Sequence, residues 1–158
     1  MKVSLKKGFS FGLTSGIITT LGLIIGLDAS SGSKAVVIGG IMIIAITDAL
    51  SDALGVHVSE EAENKHSVRE IWESTLATFG AKFIFALTFL VPVLIFPLNL
   101  AVIICVIWGL SLIVGFSAYI AKQDHAKAWM VIGEHLLITV VVIIATYYIG
   151  SWINKTFV

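Results

Sequence analysis

Five apolar runs, residues 9–27, 35–58, 79–96, 100–121 and 128–152, take up most of this chain, and the polar stretches between them are too short to make domains of their own. A helix needs about 20 apolar residues to cross the hydrocarbon core of a bilayer. Each run is close to that length, so the chain reads as an all-α integral membrane protein with five transmembrane helices in one domain, residues 1–158. Composition agrees, with 58% of residues hydrophobic and only 13% charged, where a soluble domain carries about 25% charged residues. The function therefore lives in or beside the lipid bilayer.

The ends of the runs carry their own signals. Lys2, Lys6 and Lys7 ahead of the first run resemble the start of a signal peptide. The run is too long for a signal core, however, and Leu27-Asp28-Ala29 is a poor cleavage site, so a retained first span is expected. Nothing between Val58 and Glu63 breaks a helix. The second helix, counted from Ala35 to Glu63, would reach about 43 Å against a hydrocarbon core of about 30 Å, and so projects into water. Ser67 followed by Glu70 forms a capping-box pattern for the third helix, giving a short helical extension over about 57–78 that enters lipid near Phe79 or Gly80. Pro92 is expected to bend the third span and Pro97 to end it, and residues 122–127 form a polar loop.

Basic residues orient the chain. Lys2, Lys6, Lys7, Lys65, Arg69, Lys82, Lys122 and Lys127 fall on the side of the amino terminus, while Lys34 and Lys155 fall opposite. The positive-inside rule then places the amino terminus and the 57–78 extension in the cytoplasm and the carboxyl terminus outside. Trp72, Trp108, Trp129, Trp152, Tyr147 and Tyr148 suit interfacial anchors. Gly8, Gly12 and Gly16 recur every four residues, and Gly22 and Gly26 repeat the spacing one face over. Such spacing lets helix backbones approach closely in lipid, where no hydrophobic force drives helices together.

Other classes are excluded. The net charge is zero and no basic cluster with interleaved aromatics occurs, so nucleic acid is not a partner. Cys105 is the single cysteine, which rules out an internal disulfide or a multi-cysteine metal site and suits an apolar filler. There is no Gly-rich phosphate loop, no His-Glu-x-x-His and no Gly-x-Ser-x-Gly, so the chain is not read as an enzyme.

The stretch Ile41–Glu61 carries what chemistry there is. Asp48, Asp52, Gly55 and Ser59 share one narrow helical stripe, with Gly55 serving as a packing residue. Counted from Ala35, Asp48 lies about 20 Å and Asp52 about 26 Å along the helix, in the inner half of the membrane. Intramembrane carboxylates are costly, face the bundle interior, and mark ion or proton pathways. Two of them one turn apart could share a proton or bind a divalent cation through oxygen. The alternative is a packing role, with both acids protonated and bonded to Thr14, Ser15, Thr19 or Thr20. An aspartyl-hydrolase dyad would need its acids on different helices, and these share one.

Glu134 and His135 lie about 9 Å inside the fifth span, matching the depth of Asp52. Met130 precedes Glu134 by one turn, and sulfur with carboxylate suits Fe(II) or Mn(II). Snorkelling of Glu134 to water and a hydrogen-bonded packing role for His135 are the alternatives. In the extension, His57, Glu60 and Glu61 share one face, as do His66, Glu70 and Glu73. Two such arms could converge on one divalent metal, or form an ordinary solvated acidic face.

The glycine pattern Gly8-Phe-Ser-Phe-Gly-Leu-Thr-Ser-Gly16, Leu21-Gly-Leu-Ile-Ile-Gly26, Gly39-Gly40, and Ala49-Leu-Ser-Asp-Ala-Leu-Gly-Val-His-Val-Ser59 resembles the vacuolar iron transporter family, as does Thr146-Tyr-Tyr-Ile-Gly150. The resemblance covers the first two spans best. It implies a five-span protomer, a homodimer with its pathway between subunits near the first two helices, and export of cytosolic Fe(II), often Mn(II) as well, in exchange for protons. It also implies an acidic metal-binding region in the cytoplasmic extensions, corresponding here to Glu60, Glu61, Glu63, Glu70 and Glu73 in a much shorter insert. The chain departs from the pattern at three places. Phe11 stands where the family typically has an aspartate, Asp52 where it has a methionine, and Val56 where it has a glutamate.

These observations lead to one expectation and one alternative. The expectation is a homodimeric, proton-coupled exporter of Fe2+ or Mn2+ without a resident cofactor, using Asp48, Asp52 and Glu134 in the membrane and the Glu/His arms for capture. The alternative is a non-transporting metal sensor or scaffold that binds through the arms.

Overall fold

Helix boundaries follow from a few punctuating residues. The computed structural model describes residues 2–123 and 126–157, so Asp124 and His125 of the expected loop lie outside the described residues. Six helices follow in order: α1 (Val3–Ser31), α2 (Lys34–Glu63), α3 (Val68–Thr88), α4 (Leu90–Ile95), α5 (Leu98–Gln123) and α6 (Ala128–Phe157). Gly32 (φ 58°) and Asn64 (φ 51°) take the left-handed conformation just past α1 and α2, the usual way to stop a helix. Ser67 caps α3 through the expected box: its hydroxyl accepts from the Glu70 amide while the Glu70 carboxylate accepts from the Ser67 amide. Pro92 acts four residues upstream of itself. It offers no N–H to the Thr88 carbonyl, and the apolar run is interrupted at Phe89 into α3 and α4.

Five segments are long and apolar enough to cross a membrane: Val3–Ser31, Lys34–Glu63, Val68–Ile95, Leu98–Gln123 and Ala128–Phe157. The architecture is all-helical, with no strand among the described residues. Large apolar side chains such as Ile43, Leu54, Ile103, Ile107, Leu137 and Ile144 are exposed on the helices. An apolar exterior of this extent suits lipid and would not suit water.

The chain divides into two compact units, and α1 and α2 contribute to both. The first comprises Met1–Thr20 and Ile41–Leu90, the second Leu21–Gly40 and Val91–Val158. In the first, a Cβ at Gly8, Gly12 or Gly16 would collide with or crowd the backbone of Ser74, Thr78 and Lys82 respectively. Three glycines spaced by four thus meet three α3 residues spaced by four, and Thr78 Oγ1 donates across the gap to the Gly8 carbonyl at 3.2 Å. Ile17, Ala45, Ala49, Ala81 and Phe89 fill the rest of that interior.

In the second unit, Gly22 and Gly26 face Val142 and Thr146 of α6, and Gly150 approaches the Gly26 carbonyl. Asn154 Nδ2 donates to the Ser30 carbonyl at 2.8 Å, and α5 packs along α6. Lys34 Nζ donates to the Leu94 and Phe96 carbonyls at 3.1 Å each, covering groups that the short α4 leaves unpaired.

Candidate cation site

Three helices of the first unit bring Asp48, Asp52, Ser15 and Lys82 together. Helical spacing puts Asp48 and Asp52 one turn apart on α2. The close approach at Gly16 brings α3 near enough for the Lys82 stem to lie against α1, where its Cγ would be 3.1 Å from a Cβ at residue 16. The Lys82 ammonium then ends between the two acids. It lies 2.6 Å from Asp48 Oδ2, donates to Asp52 Oδ2, and donates to Ser15 Oγ at 2.8 Å. Ser15 in turn donates to Asp52 Oδ2 at 2.7 Å.

The members differ in accessibility. The Lys82 side chain is 2% exposed, whereas those of Asp48 and Asp52 are 27% and 23% exposed. Asp48 Oδ2 meets the ammonium as an ion pair and has no hydrogen-bond partner among the described residues. Of the hydroxyls expected near the acids, Ser15 reaches Asp52. Thr19 turns back to the Ser15 carbonyl at 2.9 Å, and the buried Thr20 hydroxyl has no partner among the described residues. With both acids ionised and Lys82 protonated, the cluster carries one net negative charge. Breaking a buried ion pair by removing one member costs about 3–5 kcal/mol, yet such pairs add little net stability over apolar packing. Stability alone therefore gives no reason to keep a lysine here.

Asp52 also lines a cavity of about 440 Å³ between α1 and α2, together with Phe11, Ser51, Gly55, Val56 and Ser59. Lys7 and Glu60 line it as well. Gly55, expected to pack, instead has open space where a Cβ would stand. It widens the cavity.

The arm residues are each engaged inside the chain. Glu60 is 1% exposed, accepts from Ser74 Oγ at 2.6 Å and pairs with Lys7 at 3.2 Å. His57 Nδ1 lies 3.0 Å from Thr75 Oγ1. Because Thr75 spends its own proton on the Ile71 carbonyl, Nδ1 is the donor. The His57 ring stands edge-on to Trp72, and its Nε2 is 3.6 Å from Glu61. His66 pairs with Glu63 at 3.3 Å. Glu70 is taken up by its cap, and the Ser67 hydroxyl and then the Ser67 amide hold its carboxyl below the usual value. Glu73 meets Lys2 at 2.6 Å and both Ser4 and Arg69 at 3.0 Å; the Lys2 hydrogen bond is the main cause holding its carboxyl low. Among the described residues no three His, Cys, Asp or Glu side chains converge on a point where they could hold an ion.

In the second unit, Glu134 is exposed on α6 with no ion-pair partner among the described residues, and Met130 is exposed one turn before it. His135 Nδ1 lies 2.7 Å from the buried Ser117 Oγ of α5.

Lys82 is the site residue that sequence patterning does not pair with the acids. Expected among the basic residues on the amino-terminal side, it is buried inside the first unit at 2% exposure. Its signal was available: a lone lysine beyond Phe79, inside an apolar run, falls under the same rule that singled out the acids. Comparison of the chain with protein-family models, characterised proteins and solved structures finds no match.

Proposed function

We propose that the chain is a proton-coupled exporter of divalent transition-metal cations, Fe2+ or Mn2+, working as a homodimer with its amino terminus in the cytoplasm. The observation that carries the reading is the acid pair of a membrane-crossing helix, Asp48 and Asp52, held by a buried lysine and opening onto a cavity. The Lys82 ammonium occupies the place between the carboxylates that a cargo cation would take. A metal must displace it, and a proton shared by two acids one turn apart gives the return half of an exchange. Oxygen ligands without a methionine favour harder cations of the series, such as Mn2+.

The resemblance to the vacuolar iron transporter family gains support from one spatial fact. The three places of departure, Phe11, Asp52 and Val56, line the same cavity. Residues drawn from two helices at a family's ligand positions would be expected to meet in this way. The homodimer is supported by exposure: Ser51, Gly55 and Ser59 are open in the single chain beside Asp52. A polar face bearing a carboxylate does not face hydrocarbon, and a second copy would cover it. The sensor alternative has less support, because every arm carboxylate already faces a cation, an imidazole or a cap within the chain.

In proteoliposomes Asp52→Asn is expected to abolish Mn2+-driven proton flux while the protein stays folded and dimeric. Flux equal to the unsubstituted protein would overturn the assignment.

A further inference from the structure

The cavity beside Asp52 has a second charged end. It runs along α2 from Asp52 to Glu60, a helical rise of about 12 Å, and its volume of about 440 Å³ has room for on the order of ten waters. At the far end, Lys7 reaches over from α1 to lie 3.2 Å from Glu60 and 3.8 Å from Glu63. The two sides of this contact differ. The Glu60 side chain is 2% exposed and fixed by Ser74, whereas the Lys7 side chain is 48% exposed on a flexible four-carbon stem. Lys7 is the part that can swing away.

A lysine ammonium over two carboxylates is a tethered monovalent cation. A free monovalent ion gains no more from Glu60 and Glu63 than Lys7 does, and it lacks the tether. A divalent ion at the same distance gains about twice the Coulomb energy. We propose that Lys7 is a charge gate at the Glu60 end of the cavity, closed to monovalent cations and displaced by divalent ones, which then pass Ser59 and Gly55 to reach Asp52. The inference rests on the homodimer of the transport reading to cover the exposed face of Ser51, Gly55 and Ser59; it names the residue that selects cargo charge, and its test requires no transport.

With Cys105 replaced by alanine, single cysteines are placed by Ser59→Cys beside the gate and by Gly55→Cys and Ser51→Cys behind it, in the full chain in liposomes. Gly55 has open space where a Cβ would stand, so the substitution fits. Each is reacted with a cationic methanethiosulfonate. Replacing Lys7 by glutamine is expected to raise the rates at residues 55 and 51 about tenfold by removing a positive charge from the mouth. Lys7→Arg should keep them slow, and a neutral methanethiosulfonate, which does not sense the charge, should react at residue 59 at the same rate in all forms.

At constant ionic strength, Mn2+ should slow labelling behind the gate with or without Lys7, and K+ only in Lys7→Gln. Equal rates at residues 55 and 51 with and without Lys7, or equal K+ competition in both forms, would overturn the gate. If Lys7→Gln does not fold, as a changed rate of the neutral reagent at residue 59 would reveal, Lys7→Met makes the same comparison. A protein that shows this labelling pattern but carries no metal would sink the transport reading and leave the gate standing.

Discussion

One helix serves two different interiors. In the first unit, Gly8, Gly12 and Gly16 of α1 let α3 come close, and the space so defined is polar, holding Glu60, Ser74, Thr75, Thr78 and Lys82 out of solvent. In the second, Gly22 and Gly26 of the same helix meet α6, and among the described residues the interior is apolar except for Ser117 and Thr139. The four-residue glycine spacing is common to both. It decides how near two helices come, while the residues that meet the glycines decide what the interior can do. Among the described residues, only the first unit buries a lysine between carboxylates, and there the close contact serves a candidate ion site.

The sharpest way to break that contrast is Lys82→Met. It leaves two carboxylates facing each other without a cation and should cost about 3–5 kcal/mol. The matched removal in the second unit, Ser117→Ala, takes one hydrogen bond from His135 and should cost about 1 kcal/mol. Thermal melting in detergent measures both, and equal losses would mean that the two interiors are energetically alike.

A smaller effect tests what the units share. Gly12→Ala would set a Cβ against the Thr78 backbone, and Gly150→Ala one against the Gly26 carbonyl. Each should cost about 1–3 kcal/mol by overpacking. Gly55→Ala, which meets nothing, should gain up to about 1 kcal/mol from helix propensity. A neutral Gly12→Ala would show that the clearance in the first unit is not needed.

The smallest effect lies at the start of α3. Ser67→Ala should lower the melting temperature by a few degrees near neutral pH. Its sign with pH follows from Glu70, whose folded carboxyl lies below its ordinary value. That contribution is complete above the unfolded carboxyl's titration and fades as pH falls through the lowered folded one. The melting temperatures of Ser67→Ala and the unsubstituted protein should therefore converge in acid.

Much of this was legible in the residues. The five apolar runs match five membrane-length segments, and the Ser67–Glu70 box sits where its spacing put it. The acids Asp48 and Asp52 stood out because charge inside an apolar run is costly wherever it is found. Less legible was the break at Phe89, since a proline acts on a carbonyl four residues before it as well as on its own turn. Of the partners of the acids, Ser15 was legible as a nearby hydroxyl, whereas Lys82 was not, because a lysine near a span end satisfies the orientation rule as readily as it satisfies an ion pair.

By itself the sequence determined the five membrane-length apolar segments, the cap of α3 and the presence of acid within one of those segments. These depend on hydropathy and on contacts a few residues apart. Only the tertiary structure decided that Lys82, thirty residues from Asp52, closes the site, and that Gly16 makes room for its stem. The reason is physical: in a chain made for lipid, the faces that meet other helices and the faces that meet acyl chains are both apolar, so periodicity shows which residues share a face without showing which faces meet.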